Sequence, residues 1–150
     1  MRKNGLDMLD AANRVFATMN VRAFLTYGAL LGAYRDKGFI SYDPDIDLGV
    51  LASEIPSDLH EKMAQAGFKL YRQNVLSGSE QVFEETYIYK KLHLDIFYYF
   101  QDGDDYYSVL ARKHETKEWK EANATDGFPC DRSYVPVSDF ELQDFLGLKV

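Results

Sequence analysis

Asp43, Asp45 and Asp47 stand at alternate positions on the way into the run Ile46-Asp47-Leu48-Gly49-Val50-Leu51. Side chains along an extended strand alternate between faces, so these three carboxylates share one side. Ile46, Leu48 and Val50 then point to the other side, toward a core. Three like charges on one strand face repel, and a divalent cation is the economical counter-charge. Mg²⁺ favours hard carboxylate oxygens, and Mn²⁺ takes the same donors. Asp95 is the second candidate. Around it, Leu94, Ile96, Tyr98 and Phe100 form one face, and His93, Asp95, Phe97 and Tyr99 the other. Both faces are largely apolar, as in a central strand. An ionised carboxylate there needs a metal, or an ion pair with Lys90, Lys91 or an arginine. Tyr27-Gly28-Ala29 is the third candidate, a strand passing through a small residue straight into a helix. Backbone N–H groups at a helix start can cradle phosphate oxygens, and glycine permits close approach. By itself that segment is also an ordinary tight turn. Together the three features point to metal-assisted chemistry at a phosphate.

A calcium loop is the competing metal site. Counting from Asp43, it would use Asp43, Asp45, Asp47 and Glu54. Its sixth position, which requires glycine, is Leu48, and its ninth, Leu51, offers no side-chain oxygen. Lys37 to Ser41 does not read as an entering helix either.

The elements that must position these residues follow from hydrophobic periodicity. Leu6 to Met19 carries apolar residues every three or four positions and predicts a helix. Phe24 to Tyr27 predicts a short strand, and Ala29 to Arg35 a helix starting just after Gly28 and ended by Gly38. Ile46 to Leu51 reads as a strand, and Pro56-Ser57 opens a helix to Ala66, stopped by Gly67. Strands follow at Phe68 to Arg72, Val82 to Tyr89, Leu92 to Phe100 and Tyr106 to Ala111. The last two are joined by a hairpin at Gln101-Asp102-Gly103-Asp104. Residues 113 to 134 read as polar loop with a little helix. Ser138 would cap a last helix through Phe145 and Leu146. The fold class is mixed α/β (α+β), a small mixed sheet with helices packed on it.

The 150 residues suit one domain. A net charge of -7 disfavours DNA or RNA as partners. A nucleotide remains compatible where metal ions neutralise its phosphates. No apolar stretch is long enough for a transmembrane segment, and Asp7, Asp10 and Asn13 interrupt any signal-peptide core. With Cys130 the single cysteine, no internal disulfide forms, and a cytoplasmic location is expected. The 11 Tyr and 10 Phe suit strand surfaces and core; the sharper alternative is a platform for a base or a sugar. His60, His93 and His114 read as ordinary surface or sheet residues.

The run from Tyr27-Gly28-Ala29-Leu30-Leu31-Gly32-Ala33 through Arg35 and Gly38-Phe39-Ile40 to Tyr42-Asp43-Pro44-Asp45-Ile46-Asp47-Leu48-Gly49 resembles the LicD/fukutin family signature. Leu94-Asp95-Ile96-Phe97 is similar to that family's third acidic strand. Tyr134-Val135-Pro136-Val137 and Phe145-Leu146-Gly147 faintly resemble its closing segment. The resemblance implies a nucleotidyltransferase-like fold over a single domain, 1–150, shortened at its C-terminus. It implies transfer of a substituted phosphate, such as phosphocholine or a polyol phosphate, from a CDP-linked donor to a glycan hydroxyl. Asp45 and Asp47 carry over as ligands of Mg²⁺ or Mn²⁺, and Asp95 as third ligand or base. Gly28 and Ala29 carry over as the phosphate turn, and Arg35 as a structural or phosphate-contacting arginine. Ala29 stands where the family has Thr or Ser, Pro44 replaces the middle Asp of a triplet, and Ser41 replaces Pro. Two rival functions use the same residues: transfer of a nucleoside monophosphate to a small molecule or protein, and nucleotide binding without catalysis. The expected geometry places Asp45, Asp47 and Asp95 on adjacent strands facing one open cleft. The Gly28-Ala29 turn lies at its edge and Asp43 further out, at the rim.

Overall fold

In a computed structural model describing residues 2–76, 78–111, 130–135, 144–145 and 148–149, the chain opens with a helix, α1 (Arg2–Thr18). Met8, Leu9, Ala12, Val15 and Phe16 form its buried stripe. The periodic apolar residues give that stripe, and helix formation extends back to Arg2 because nothing before Leu6 forbids it. β1 (Ala23–Leu25) leads into α2 (Tyr27–Arg35) and then β2 (Asp45–Leu51). A 3-10 turn at Ala52–Glu54 precedes α3 (Leu59–Gln65), and Gly67, at φ +92°, turns the chain out of that helix. α2 starts two residues earlier than its composition suggests. Thr26 is extended at φ -137° and serves as N-cap residue, while Tyr27 takes φ +42°.

The remaining strands are β3 (Lys69–Val75), β4 (Val82–Tyr89), β5 (Leu92–Asp102), β6 (Asp105–Ala111) and β7 (Cys130–Val135). They join β1 and β2 in one seven-stranded sheet with the path β1-β2-β5-β4-β3, β6 and β7 continuing from β5. Among the described residues only β2 and β5 run parallel and the other pairs are antiparallel, so the sheet is mixed as expected. β5 and β6 are joined by a two-residue hairpin, with Asp102 opposite Asp105 and Gly103 at φ +63°.

Two predictions fail at the C-terminal end. Cys130–Val135 is a strand paired with β6, not loop: its alternation was hidden by the polar Asp131, Arg132 and Ser133. Asp144–Phe145 (β8) pairs antiparallel with Leu148–Lys149 (β9), so Phe145 lies in a strand rather than in a last helix. Gly147 between them in sequence disfavours helix there. Ser138, Phe140 and Leu142 lie outside the described residues, as does His114.

One sheet face carries the main core. Ile46, Leu48 and Val50 of β2, with Leu94, Ile96 and Tyr98 of β5, pack against α1, α3 and Phe68. The alternate residues of the same two strands face the other way. There Leu51, Phe97 and Tyr99 form a smaller cluster with Phe24, Tyr27 and Tyr106. Gly49 is required beneath it, because an added Cβ would lie 2.3 Å from the Phe24 ring. The acidic residues lie on this second face, toward the N-terminal ends of β2 and β5. Among the described residues, no helix is long and apolar enough to cross a membrane.

Candidate functional site

Parallel pairing sets Asp47 directly beside Asp95, and Asp45 beside His93. Register partners share a sheet face, so Asp45, Asp47 and Asp95 project to the same side. On the far side of β5, Thr86 pairs with Asp95. The polar row is therefore Asp47, Asp95, Thr86, crossing three strands. It continues to β3, where the Arg72 guanidinium donates to Glu84 Oε1 at 2.9 Å and Thr86 Oγ1 at 3.1 Å. Asn74 donates to the other Glu84 oxygen at 2.9 Å. Sequence alone missed this row. Glu84 and Glu85 are adjacent and so point to opposite faces, which hides the polar face of β4.

Among the described residues, one carboxylate oxygen each of Asp43, Asp45 and Asp47 lies within 4.8 Å of the other two, and Asp95, expected as third ligand, is outside this group. Asp43 is thus part of the cluster rather than further out at the rim. It precedes β2 in a turn in which its N–H bonds Ile40 O at 3.2 Å, and that turn folds its side chain back over Gly28. A Cβ on Gly28 would lie 2.3 Å from Asp43 Oδ2 and 3.1 Å from Asp47 Oδ2. What approaches Gly28 here is carboxylate, and only glycine leaves room for both. The Gly28 N–H donates to Asp47 Oδ2 at 2.9 Å. The start of α2 thereby holds one of the acids, where its dipole favours negative charge.

The carboxylates are held against their preference. Burial pushes Asp47 up to about 7, and Asp45, Asp95 and Asp43 add repulsion while the Gly28 N–H opposes the shift. Burial also pushes Asp45 up to about 6, reinforced by a hydrogen bond with Asp43 and by the charges of Asp95 and Asp43. Asp95 Oδ1 is buried with no hydrogen-bond partner among the described residues. Lys90, a proposed partner for Asp95, instead lies 3.7 Å from Asp7. A buried carboxylate oxygen without a donor is costly, and it suits a cation. The donor set, oxygen atoms of acidic side chains, fits Mg²⁺ or Mn²⁺.

Glu54 does not join the cluster, which removes the calcium loop. Its carboxylate accepts from Arg22 Nε at 2.7 Å and from the Arg22 N–H at 2.9 Å. Asp45–Leu51 is moreover a strand, not a loop.

Two candidate residues remain, Ala29 and Arg35. The Ala29 side chain is buried in the main core, so only its backbone could meet a ligand. Arg35 forms a two-pronged pair with its neighbour Asp36, at 2.7 and 2.8 Å, on the exposed end of α2. The site wall nearest Gly28 is aromatic. Tyr27 sits edge-on against Phe97, with centroids 4.6 Å apart, and its hydroxyl bonds Ser108. Thr26 Oγ1 meets the Tyr99 hydroxyl at 2.6 Å.

Residues 20–138 match the family model described as LicD/FKTN/FKRP, nucleotidyltransferase domain. The chain is 27% identical over 120 residues to ribitol-5-phosphate transferase FKTN of Mus musculus, covering 79% of this chain and 26% of that protein. The Homo sapiens protein of the same name is 26% identical over the same length, with the same coverage. A Caenorhabditis elegans protein, T07A5.1, itself uncharacterised, is 31% identical over 111 residues, covering 72% of this chain and 29% of its own length. The chain spans about a quarter of the length of these relatives. With four-fifths of its residues inside the matched segment, the chain belongs to the LicD/FKTN/FKRP nucleotidyltransferase domain family.

Proposed function

We propose that this chain is a metal-dependent transferase that moves a polyol phosphate or similar substituted phosphate from a CDP-linked donor to a glycan hydroxyl. The observation that carries this reading is the oxygen cluster of Asp43, Asp45 and Asp47, with the buried Asp95 Oδ1, which has no hydrogen-bond partner among the described residues, on the adjacent strand. A name shared by the mammalian relatives, ribitol-5-phosphate transferase, favours this over other phosphate chemistry.

In this reading Asp45 and Asp47 hold Mg²⁺ or Mn²⁺, with Asp43 adding a third oxygen from the turn. A cation there would neutralise the donor diphosphate and the charge that builds on the leaving nucleotide. The Gly28 N–H fixes Asp47 in one orientation. The buried Oδ1 of Asp95 has acceptor capacity to spare and serves as a further ligand or takes the proton of the acceptor hydroxyl. The Tyr27 and Phe97 rings add an apolar wall beside Gly28, where a lower local dielectric would strengthen these interactions.

The test is product analysis. CDP-ribitol, a glycan acceptor and Mg²⁺ are incubated with the protein, and acceptor mass is measured. Gain of ribitol phosphate with release of CMP supports the reading. Gain of a nucleotide would assign nucleoside-monophosphate transfer instead. Metal-dependent nucleotide binding without any product would assign a binding module.

A further inference from the structure

We propose that Tyr71 and His93 form a stacking platform for the nucleobase of a nucleoside diphosphate whose phosphates lie at Asp43, Asp45 and Asp47. The proposal rests on the reading of the carboxylate cluster given above. β3 is irregular between Leu70 and Arg72: Leu70 pairs with Tyr87, and Arg72 with the adjacent Thr86. Tyr71 is therefore an extra residue with no partner on β4, a bulge of the kind that redirects a side chain. Leu70 packs toward the main core, and the Arg72 side chain reaches Glu84 and Thr86 on the acidic face. Tyr71 follows Arg72 to that face. Its ring passes over β4 and stacks on His93 of β5, with centroids 5.7 Å apart and planes 27° from parallel.

That placement has a meaning for a ligand. His93 is the register partner of Asp45 and lies two residues before Asp95 on the same face. The stack thus borders the carboxylates on the β3 side, while the start of α2, holding Asp47, borders them on the β1 side. Strands lie about 4.8 Å apart, so the distance from β2 to the middle of the stack is about 10 Å. A ligand with a charged end and a flat end spans that distance. Tyr71 is 62% exposed, so its outer ring face is open to a ligand. A nucleobase is flat and uncharged. It can extend the Tyr71–His93 stack without adding charge to a strongly acidic face, while the phosphates go to the cation.

Calorimetry with Mg²⁺, using CDP and inorganic pyrophosphate as probes, tests the platform on the native chain, Tyr71→Ala and Tyr71→Phe. Tyr71 is exposed, so both variants should melt as the native chain does. Loss of one base–aromatic stack is worth about a tenfold loss of affinity. The expected result is CDP binding about tenfold weaker in Tyr71→Ala, near native in Tyr71→Phe, and pyrophosphate binding unchanged in both. Native CDP affinity in Tyr71→Ala overturns the platform, including the case where only the KM for the acceptor changes. If pyrophosphate does not bind while CDP binding depends on Tyr71, the platform stands and the metal–phosphate reading falls. If neither probe binds the native chain, both are overturned.

Discussion

Glu85 and Asp95 are two carboxylates on neighbouring strands of one sheet, facing opposite sides, and their surroundings differ. Glu85 lies on the core face, 1% exposed, and accepts from His60 Nε2 at 2.7 Å, Gln73 Nε2 at 2.6 Å and the Tyr87 hydroxyl at 2.8 Å. Asp95, on the other face, keeps a buried oxygen with no donor among the described residues and has Asp47 as its neighbour. A buried carboxylate surrounded by donors is a structural member of the fold, since every lone pair it loses to water is replaced. A carboxylate beside other carboxylates, and short of donors, destabilises the fold unless something positive joins it. One sheet thus carries stability on one face and unmet electrostatic demand on the other.

The largest effect expected from this contrast is on turnover. Asp45→Asn, Asp47→Asn and Asp95→Asn should each lower phosphate transfer by about 100-fold or more, the scale for loss of one preorganised charge-stabilising group. Each should melt no lower than the native chain. Near-native turnover in any one of them would remove that residue from the chemistry. Glu85→Ala should behave the opposite way. It strands the buried Tyr87 hydroxyl, removes the acceptor of the exposed His60 and Gln73, and should cost about 1–3 kcal/mol of stability, with transfer per folded molecule unchanged. A melt as stable as native, by denaturant titration, would break the contrast from the core side.

A smaller effect has a definite pH dependence. Burial and neighbouring acids raise Asp47 from 3.8 to about 7. Between those values the folded chain binds more protons than the unfolded chain, so stability falls as pH rises through that window and levels above it. Asn cannot ionise. In EDTA, Asp47→Asn should therefore match the native chain near pH 4 and exceed it above pH 7, by on the order of 1 kcal/mol or about 2–4 °C in Tm. Equal melting curves at pH 8 would contradict the repulsion described at the site. Arg35→Gln marks the bottom of the scale. Its guanidinium pairs with Asp36 and interacts with Tyr42 rather than with a carboxylate of the cluster, so neither Tm nor transfer should change measurably. A clear loss of transfer would return Arg35 to the phosphate-contacting role implied by the resemblance.

Much of the site was legible from local pattern. Period-two spacing put Asp45 and Asp47 on one face, and the apolar run around Asp95 marked a central strand. β5 is indeed paired on both sides, with β2 and β4. What pattern cannot supply is pairing between strands far apart in sequence. The register that sets Asp47 beside Asp95, and the polar row through Thr86 to Arg72, are tertiary facts. Asp43 was misplaced because Pro44 ends strand geometry there, and a turn can fold a side chain back where a strand cannot. The Tyr71 bulge was equally hidden, since an extra residue in one strand shows only against its partner. Cys130–Val135 failed for a simpler reason: a polar strand near the sheet edge has weak hydrophobic alternation.

The central claim is that the Asp43, Asp45 and Asp47 cluster holds a divalent cation in the presence of nucleotide. Calorimetric titration of Mn²⁺ into the native chain with CDP, and into an Asp45→Asn/Asp47→Asn double variant, tests it most directly. The account predicts saturable Mn²⁺ binding by the native chain and its loss in the double variant, both folded by melting. Equal Mn²⁺ affinity in the two proteins, or CDP binding to the native chain that is as tight in EDTA as in Mn²⁺, would contradict it.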